Sequence, residues 1–371
     1  MVSIQAKPAD GKVGINIQSD RLTNALDLVR RAAEKRQAWP ILNNVCVRPG
    51  EDTLTLTCSD LRTWAECQIP ASGGKCDPFT VDVRQFTAAV KRMKGEIHIQ
   101  HDGNQAAVSN GNGCVKLLTL PAAEFRGVPK LDRRRLRHAP GLLEAVNRVA
   151  SAVSTDESRA ILTAVLIAEN ECVATDGNRL HYVKHGIDLG ADWPDTLVYR
   201  YDLMRLVPQA ELPQVRVASN GEMLHVLTDT AHVATRLIDG MFPNWRRVAE
   251  PEVTGEWLVR TAELNAALKQ VRPVAMENAH RVTFERQGDT LQITASSFDT
   301  GEASATLQLS GSCGAFPERI AFHVDYLLDA LRFFSDCEVL AIKGSSNKEA
   351  VRFDLKGDAF AVIMPMQLPE D

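Results

Sequence analysis

The sequence lacks the patterns that mark most catalytic and metal-binding proteins. Its eight cysteines are scattered and no two form a CxxC pair, which argues against common zinc sites and disulfide frameworks and predicts buried free thiols. A GxxxxGKS or GxxxxGKT phosphate loop, an HExxH zinc motif and a GxSxG nucleophile turn are also missing. We therefore expect no catalytic residues, no metal and no cofactor.

Charge and hydropathy argue against two further classes. The 371 residues carry 42 basic and 47 acidic side chains, and this net charge of −5 is unsuited to a protein that coats nucleic acid with its whole surface. No apolar run approaches the length of a membrane span, and the first residues lack the apolar core of a signal peptide. We expect a cytoplasmic protein with no membrane contact.

One order of elements occurs three times along the chain. Each copy runs helix, strands, helix, strands, and the copies are spaced by roughly 120 residues. The pattern predicts an α+β fold of three repeated domains, 1–131, 132–254 and 255–371, each with two helices on antiparallel sheets. The helices are predicted at 20–36 and 82–94, at 141–152 and 201–207, and at 261–272 and 324–334.

The central copy contains a hairpin signal around Asp176-Gly177. Apolar and polar residues alternate on both sides of this pair, which is typical of two half-buried strands joined by a tight turn. Asp176 beside a glycine is expected to cap the amides of the turn rather than to act as a general base. An ordinary surface hairpin is the alternative interpretation.

The first copy is the most basic part of the chain. Residues 83–94 include Arg84, Lys91, Arg92 and Lys94 and no acidic residue. Basic helices in an acidic chain predict binding to a polyanion, most simply a phosphate backbone. A solvated helix face with no ligand is the alternative.

Several segments, taken in order, resemble the bacterial sliding clamp family, the β subunit of DNA polymerase III, over nearly the full length. The resemblance implies half of a closed ring, in which two head-to-tail copies surround duplex DNA with helices inside and sheets outside. It also implies a processivity factor that tethers the replicative polymerase, the clamp loader, translesion polymerases and repair proteins through short linear motifs. The segments are Trp39–Val45, Thr119–Phe125, Arg159–Leu162, Ala174–Leu180, Leu237–Val248 and Val362–Leu368.

The resemblance assigns three sets of residues by position. The implied partner-peptide pocket comprises Leu162, Thr175, Gly177, Asn178, Arg179, Leu180, Pro243, Arg247, Val248, Val362, Met364, Pro365, Met366 and Gln367. The implied DNA-facing residues are Arg36, Arg159 and Arg200, to which Arg84, Lys91 and Arg92 are added on charge alone. The implied dimer contact joins a first-domain edge strand near Val115 and Leu117 to the third domain near Pro273, Val274 and Met276.

The sequence departs from the family pattern at the pocket. Asn178 stands where a histidine is usual, Gln367 where a basic residue is usual, and Pro369-Glu370-Asp371 adds acid past the usual end. These differences leave open a divergent clamp paralogue with altered partner specificity. Two more distant hypotheses are an α+β enzyme built on repeated domains and an assembly protein without a nucleic-acid role. The enzyme would need an acid–base cluster, and the basic helices argue against the assembly protein.

Overall fold

The computed structural model describes residues 14–33, 39–74, 76–199, 206–207, 209–354 and 358–368. Arg36, Arg200, most of the helix predicted at 201–207 and the tail 369–371 lie outside the described residues. The chain forms two compact units, one from Met1–Leu143 with Tyr201–Leu237 and one from Glu144–Arg200 with Ile238–Asp371. The predicted domain boundaries stay a prediction, since these units divide the central copy between them.

In the first copy, both helices bury an apolar stripe against antiparallel strands. The first buries Leu22 and Leu26, the second buries Phe86 and Val90, and Asp82 caps the second by accepting from two of its first backbone amides. The first helix ends at Val29 and continues as a 3-10 turn. The elements are β1 (Ile15–Gln18), α1 (Ser19–Val29), β2 (Asn44–Pro49), β3 (Thr53–Ser59), β4 (Thr63–Pro70), β5 (Ser72–Gly73), β6 (Phe79–Asp82), α2 (Val83–Lys91), β7 (Glu96–His101), β8 (Gln105–Ser109) and β9 (Cys114–Pro121).

The second copy contains the predicted hairpin and strands that the pattern did not predict. Its helix ends at Val149, and a 3-10 segment precedes the first long strand. The elements are β10 (Arg137–His138), α3 (Leu142–Val149), β11 (Ala164–Ile167), β12 (Glu171–Thr175), β13 (Arg179–Lys184), β14 (Thr196–Tyr199), β15 (Arg216–Ser219), β16 (Met223–Leu227), β17 (Ala231–Arg236) and α4 (Arg246–Ala249).

The third copy follows the predicted order closely and adds three strands to it. The added strands, β18, β22 and β23, were not predicted because they are short or carry several polar residues. The elements are β18 (Gly255–Arg260), α5 (Thr261–Ala275), β19 (Arg281–Gln287), β20 (Thr290–Ser297), β21 (Gly301–Gln308), β22 (Gly311–Gly314), β23 (Arg319–His323), α6 (Val324–Phe333), β24 (Val339–Gly344), β25 (Val351–Asp354) and β26 (Ala359–Ile363).

Each unit is built on antiparallel sheets. The first unit holds a 13-stranded sheet in the order β10-β15-β16-β17-β4-β3-β2-β6-β9-β8-β7-β1-β5, in which β17 of the second copy pairs with β4 of the first. The second unit holds a 9-stranded sheet, β14-β11-β12-β13-β26-β25-β24-β18-β22, and a 4-stranded sheet, β21-β20-β19-β23. The prediction of an α+β fold with helices on antiparallel sheets is confirmed.

The cysteines depart in part from the prediction of buried thiols. Cys46, Cys58, Cys67 and Cys172 are free and buried, whereas Cys114 and Cys313 are exposed, so the prediction is wrong for these two. The exposed thiols lie on β9 and β22. Among the described residues, no helix is long and apolar enough to cross a membrane.

Candidate functional site

The turn between β12 and β13 is fixed by its own side chains. The Asp176 carboxylate accepts backbone N–H bonds from Asn178 at 2.9 Å and from Arg179 at 3.1 Å. The Thr175 hydroxyl donates to the Arg179 carbonyl at 2.6 Å and accepts from the Gly177 amide at 3.1 Å. Gly177 has a φ of +97°, a conformation that favours glycine. The prediction that Asp176 caps the turn is confirmed.

Arg179 ties this turn to α6 and to the end of α3. Its Nε donates to Asp176 at 3.0 Å, one terminal nitrogen donates to Asp329 at 2.6 Å, and the other donates to the Ser151 carbonyl at 2.6 Å. The guanidinium also lies 4.3 Å from the ring centroid of Tyr326. The side chain is 9% exposed. The three side-chain nitrogens are therefore directed inward, where they hold the turn, and the implied contact of Arg179 with a peptide stays a prediction.

The C-terminal segment is pinned beside the same turn. The Met364 amide donates to the Asn178 carbonyl at 2.8 Å, and the Met366 amide donates to the Ala321 carbonyl at 2.8 Å. In the sheet, Val362 of β26 stands opposite Leu180 of β13. Strand pairing therefore brings two predicted pocket segments together although they are far apart in the sequence.

An apolar cluster lies beneath this surface. Trp245 stacks obliquely on Tyr182, with ring centroids 5.2 Å apart, and Tyr182 stacks on Phe360 at 4.5 Å. The short helix α4 places the buried Trp245 and Ala249 on the cluster and leaves Val248 exposed. The buried members are Ala164, Leu166, Val173, Leu180, Leu197, Trp245, Ala249, Phe360 and Val362.

The predicted pocket residues differ in their exposure. Val248 is 45% exposed and Met364 is 38% exposed, so both present apolar surface to a ligand. The exposed members are Gly177, Asn178, Pro243, Arg247, Val248, Met364 and Gln367; the half-buried ones are Leu162, Arg179, Pro365 and Met366; Thr175, Leu180 and Val362 are buried. The buried members can shape the site but offer little surface.

Two residues of α6 were missed by the sequence analysis. Tyr326 and Asp329 hold Arg179 from below, and burial raises the pKa of the Tyr326 hydroxyl, with the Asp176 carboxylate adding to the effect. No motif marks either residue. Their helical spacing of three was the available signal, since it places both side chains on one face of α6.

His181 lies on β13 below the turn and is fully buried. Its ring stacks on Phe333 with centroids 5.0 Å apart, and its Nδ1 is 3.3 Å from the Ser151 hydroxyl. Burial, with the nearby Arg179 charge, lowers the pKa of His181 to about 3. The imidazole is therefore neutral at physiological pH and contributes to packing.

The predicted DNA-facing residues of α2 are exposed. Arg84 and Arg92 point into solvent, whereas Lys91 pairs with Asp27 of α1 at 2.9 Å. Asp27 also pairs with Arg30 at 2.8 Å. These pairs are half-exposed, so they neutralise part of the basic surface without burying it.

Arg159 belongs to the second unit. It is half-exposed and pairs with Asp156 at 3.2 Å. The structure keeps this residue accessible, which its predicted contact with DNA requires.

The predicted dimer residues lie on an open strand and at a helix end. Along Cys114–Leu118, β9 pairs with β8, and no other described strand pairs with its second edge. On this strand Val115 is 37% exposed, Leu117 only 8% and Leu118 77%, so Leu118 presents more side-chain surface than Leu117, and the predicted dimer contact stays a prediction. Successive side chains of a strand point to opposite faces, which is why neighbouring leucines differ in this way.

The third-copy dimer residues lie near the end of α5. Pro273 and Met276 are exposed and Val274 is half-buried. The neighbouring β21 is an edge strand of its sheet, and Phe298 in the turn before it is fully exposed. No sequence pattern marks Phe298, because a single exposed aromatic residue in a turn belongs to no periodic run.

The fold repeats α+β copies, and its second unit exposes apolar side chains beside the turn at Asp176-Gly177. Two family descriptions match the chain: DNA polymerase III beta subunit, N-terminal domain, over residues 13–129, and C-terminal domain, over residues 247–367. The chain belongs to this family, the bacterial sliding clamps, whose members are accessory subunits of DNA polymerase.

Individual relatives agree along almost the whole chain. The beta sliding clamp of Chlamydia muridarum is 25% identical over 374 residues, covering 96% of this chain and 99% of that protein. The beta sliding clamp of Proteus mirabilis is 28% identical over 375 residues, covering 95% and 99%. The crystal structure of the DNA polymerase sliding clamp from Bacillus subtilis has a similar fold, with a TM-score of 0.89 at 21% identity, covering 97% of this chain and 100% of that one.

Proposed function

We propose that two copies of this chain close head to tail into a ring around duplex DNA and tether DNA polymerases to it. A surface of the second unit would bind short linear motifs of the replicative polymerase, the clamp loader, translesion polymerases and repair proteins. One observation carries this proposal: Val248 and Met364 are exposed apolar residues on segments whose Ala249 and Val362 belong to one buried apolar cluster, and the Met364 amide bonds to the Asn178 carbonyl of the turn.

The tethering mechanism is topological. A closed ring cannot diffuse off its DNA, so its inner surface needs only weak contacts with phosphates and no reading of bases. Exposed Arg84 on α2 and Arg92 directly after it fit such contacts, since flexible cations bind phosphates without fixed geometry. A tethered polymerase then keeps a high effective concentration at the primer end.

Ring closure would use the two open edges. The second edge of β9 with Leu118 would meet the third copy of another chain, where β21 is an edge strand and Phe298 and Met276 are exposed. Unpaired backbone groups and exposed apolar side chains at a sheet edge favour pairing with another chain.

Peptide binding is tested by fluorescence anisotropy with a labelled peptide carrying a clamp-binding motif. Met364→Ala should weaken binding at least tenfold and leave the sedimentation coefficient of the dimer unchanged. Met276→Ala is the matched control, because Met276 is exposed to a similar degree, 43% against 38%, but belongs to the proposed dimer contact. It should weaken dimerisation and leave peptide affinity unchanged. A monomer at all accessible concentrations would contradict the ring.

Altered partner specificity is the second candidate. Asn178 is exposed and its side chain bonds to Tyr326, and Gln367 is exposed and uncharged. The rim is therefore neutral at two positions. If specificity has diverged, Asn178→His and Gln367→Arg together should raise affinity for a standard clamp-binding peptide. Equal peptide affinity of the double variant and the parent chain would contradict divergence at these positions.

A further inference from the structure

Two histidines and one aspartate meet at the start of α6. None of the three is assigned to the peptide surface, although Tyr326 lies against both His323 and Arg179. His280 follows α5, His323 ends β23 and Asp325 lies in the first turn of α6. One nitrogen or oxygen atom of each lies within 4.8 Å of the others. His280 Nδ1 is 2.7 Å from an Asp325 carboxylate oxygen. Three side chains with metal-binding atoms thus lie together. Two come from the junction of β23 and α6, and the third comes from the segment that follows α5.

The Nδ1 atom of His323 is buried and has no hydrogen-bond partner among the described residues. The ring stacks on His280, with centroids 4.7 Å apart and planes 8° apart, and on Tyr326, at 4.1 Å and 17°, so the two imidazoles must tilt out of this stack before both can face one ion. A buried polar atom without a partner costs free energy and is rare in folded proteins. This nitrogen therefore calls for a ligand that the surrounding protein does not supply.

The backbone at this cluster is also constrained. Ala279 has a φ of +48° and His280 a φ of +58°, in the left-handed region that non-glycine residues avoid. The His280 carbonyl accepts from the Val324 amide at 2.8 Å, which locks the loop to the start of α6. Strain of this kind concentrates at ligand-binding positions, where the surrounding structure maintains it.

The donor set selects the ligand. Two imidazole nitrogens and one carboxylate oxygen suit Zn²⁺ and its neighbours in the first transition row, whereas Mg²⁺ and Ca²⁺ prefer oxygen alone. Ligands at about 2.0–2.1 Å from Zn²⁺ lie about 3 Å from each other. His280 and Asp325 already meet this spacing, so the ion would replace the proton between them. We propose that His280, His323 and Asp325 bind one divalent transition-metal ion, with Zn²⁺ as the best fit.

One neighbouring charge opposes the ion. Arg272 donates to the second Asp325 oxygen at 2.7 Å, which orients the carboxylate but also brings a positive charge close to the site. The His280 and Asp325 side chains are each about a third exposed, so an ion can reach them from solvent. Arg272 therefore sets the affinity: removing its charge should tighten metal binding, which a purely structural role of the cluster does not predict.

Isothermal titration with ZnCl₂ tests the site in the full chain. The exposed thiols are removed first by Cys114→Ser and Cys313→Ser, since thiolates bind Zn²⁺ themselves. We expect one Zn²⁺ per chain and no heat of binding with MgCl₂. His323→Gln and His280→Gln should each weaken Zn²⁺ binding by about 10- to 100-fold. His98→Gln is the matched control, because His98 bonds to Asn16 in the first unit and should leave binding unchanged.

Two further measurements keep the test decisive. Arg272→Gln should tighten Zn²⁺ binding several-fold, and no gain would contradict Asp325 as a ligand. Co²⁺ added to the cysteine-substituted chain should give the visible absorption bands of a nitrogen- and oxygen-bound ion, a result that requires no histidine variant to fold. The proposal is overturned if the chain binds no Zn²⁺ at a ratio of one, or if His323→Gln binds Zn²⁺ as tightly as its parent.

Discussion

Replacing Asp329 with asparagine tests whether α6 holds the turn of the candidate peptide surface. Asp329 accepts from Arg179 at 2.6 Å, and the two side chains are 20% and 9% exposed. Asparagine keeps the shape of aspartate but removes its charge. Breaking a buried ion pair costs about 3–5 kcal/mol. Arg179 keeps Asp176 and the Ser151 carbonyl as partners, so we expect a smaller loss of about 1–2 kcal/mol for Asp329→Asn.

This loss should appear in both stability and binding. The unfolding temperature of the second unit should fall by roughly 2–8 °C, given its size. Because Arg179 fixes the turn whose Asn178 carbonyl bonds to Met364, a looser turn should also displace the exposed methionine. If most of the loss reaches the site, peptide affinity should fall by about 5- to 30-fold. Thermal unfolding and fluorescence anisotropy measure the two effects on the same variant.

Arg332→Gln provides the control. Arg332 bonds to the other oxygen of Asp329 at 3.0 Å, but its side chain is 78% exposed, and exposed ion pairs contribute about 0–1 kcal/mol. Arg332→Gln should change neither the unfolding temperature nor the peptide affinity appreciably. Unchanged stability and affinity in Asp329→Asn, or an equal loss of both in Arg332→Gln, would contradict a role of Asp329 in holding the turn.

Three further predictions use other features of the chain. Gly177→Ala should cost about 1–2 kcal/mol in a thermal unfolding assay because of the φ of +97°, whereas Gly113→Ala, at an open position, should be neutral. The pKa of His181 is lowered from 6.5 to about 3, so the stability that its neutral form provides is full above pH 6.5 and is lost as the pH falls toward 3. At pH 5 the loss reaches about 2 kcal/mol. If the stability of His181→Gln falls with acid pH as steeply as that of the parent chain, this prediction is contradicted. Cys114 and Cys313 should react quickly with a thiol reagent, whereas Cys58 and Cys172, whose pKa values are raised by burial, should react only on unfolding. Mass spectrometry follows the reaction of each thiol. Fast modification of Cys58 or Cys172 would show that these two thiols are accessible in the folded chain.

Local patterns were sufficient for the elements that carry their own signal. The helices at α5 and α6 and the hairpin β12–β13 each show one period over many residues, and the structure has them where the periods predicted. Strands such as β14 and β17 were missed because they are short and are defined by their neighbours. β17 is completed by β4, more than 150 residues earlier in the chain, and no local pattern encodes such a partner.

The candidate site shows the same division. The family resemblance assigned the segments of this surface, and the structure brings the segments around Asn178 and Met364 together, while their binding of a peptide stays a prediction. It did not predict that Arg179 turns inward, since this depends on Asp329, 150 residues away in the chain. The difference between Leu117 and Leu118 was equally hidden, because β9 carries apolar side chains on both faces; Leu117 stands opposite the buried Ala106 of β8, whereas Leu118 is exposed.

The inward orientation of Arg179 changes how recognition at this surface must work. With that guanidinium committed to Asp176, Asp329 and the Ser151 carbonyl, Arg247 is the exposed cation that remains in the predicted set. For the proposed peptide we then expect apolar contact with Val248 and Met364 to supply most of the affinity, and charge only a minor part. A partner held in this way would stay tethered as salt rises, because apolar contacts with little charge depend little on salt. Contacts with phosphates, in contrast, weaken steeply as salt rises. Peptide affinity should therefore stay nearly constant between low and physiological salt while DNA contacts weaken, which separates the two surfaces in a single titration.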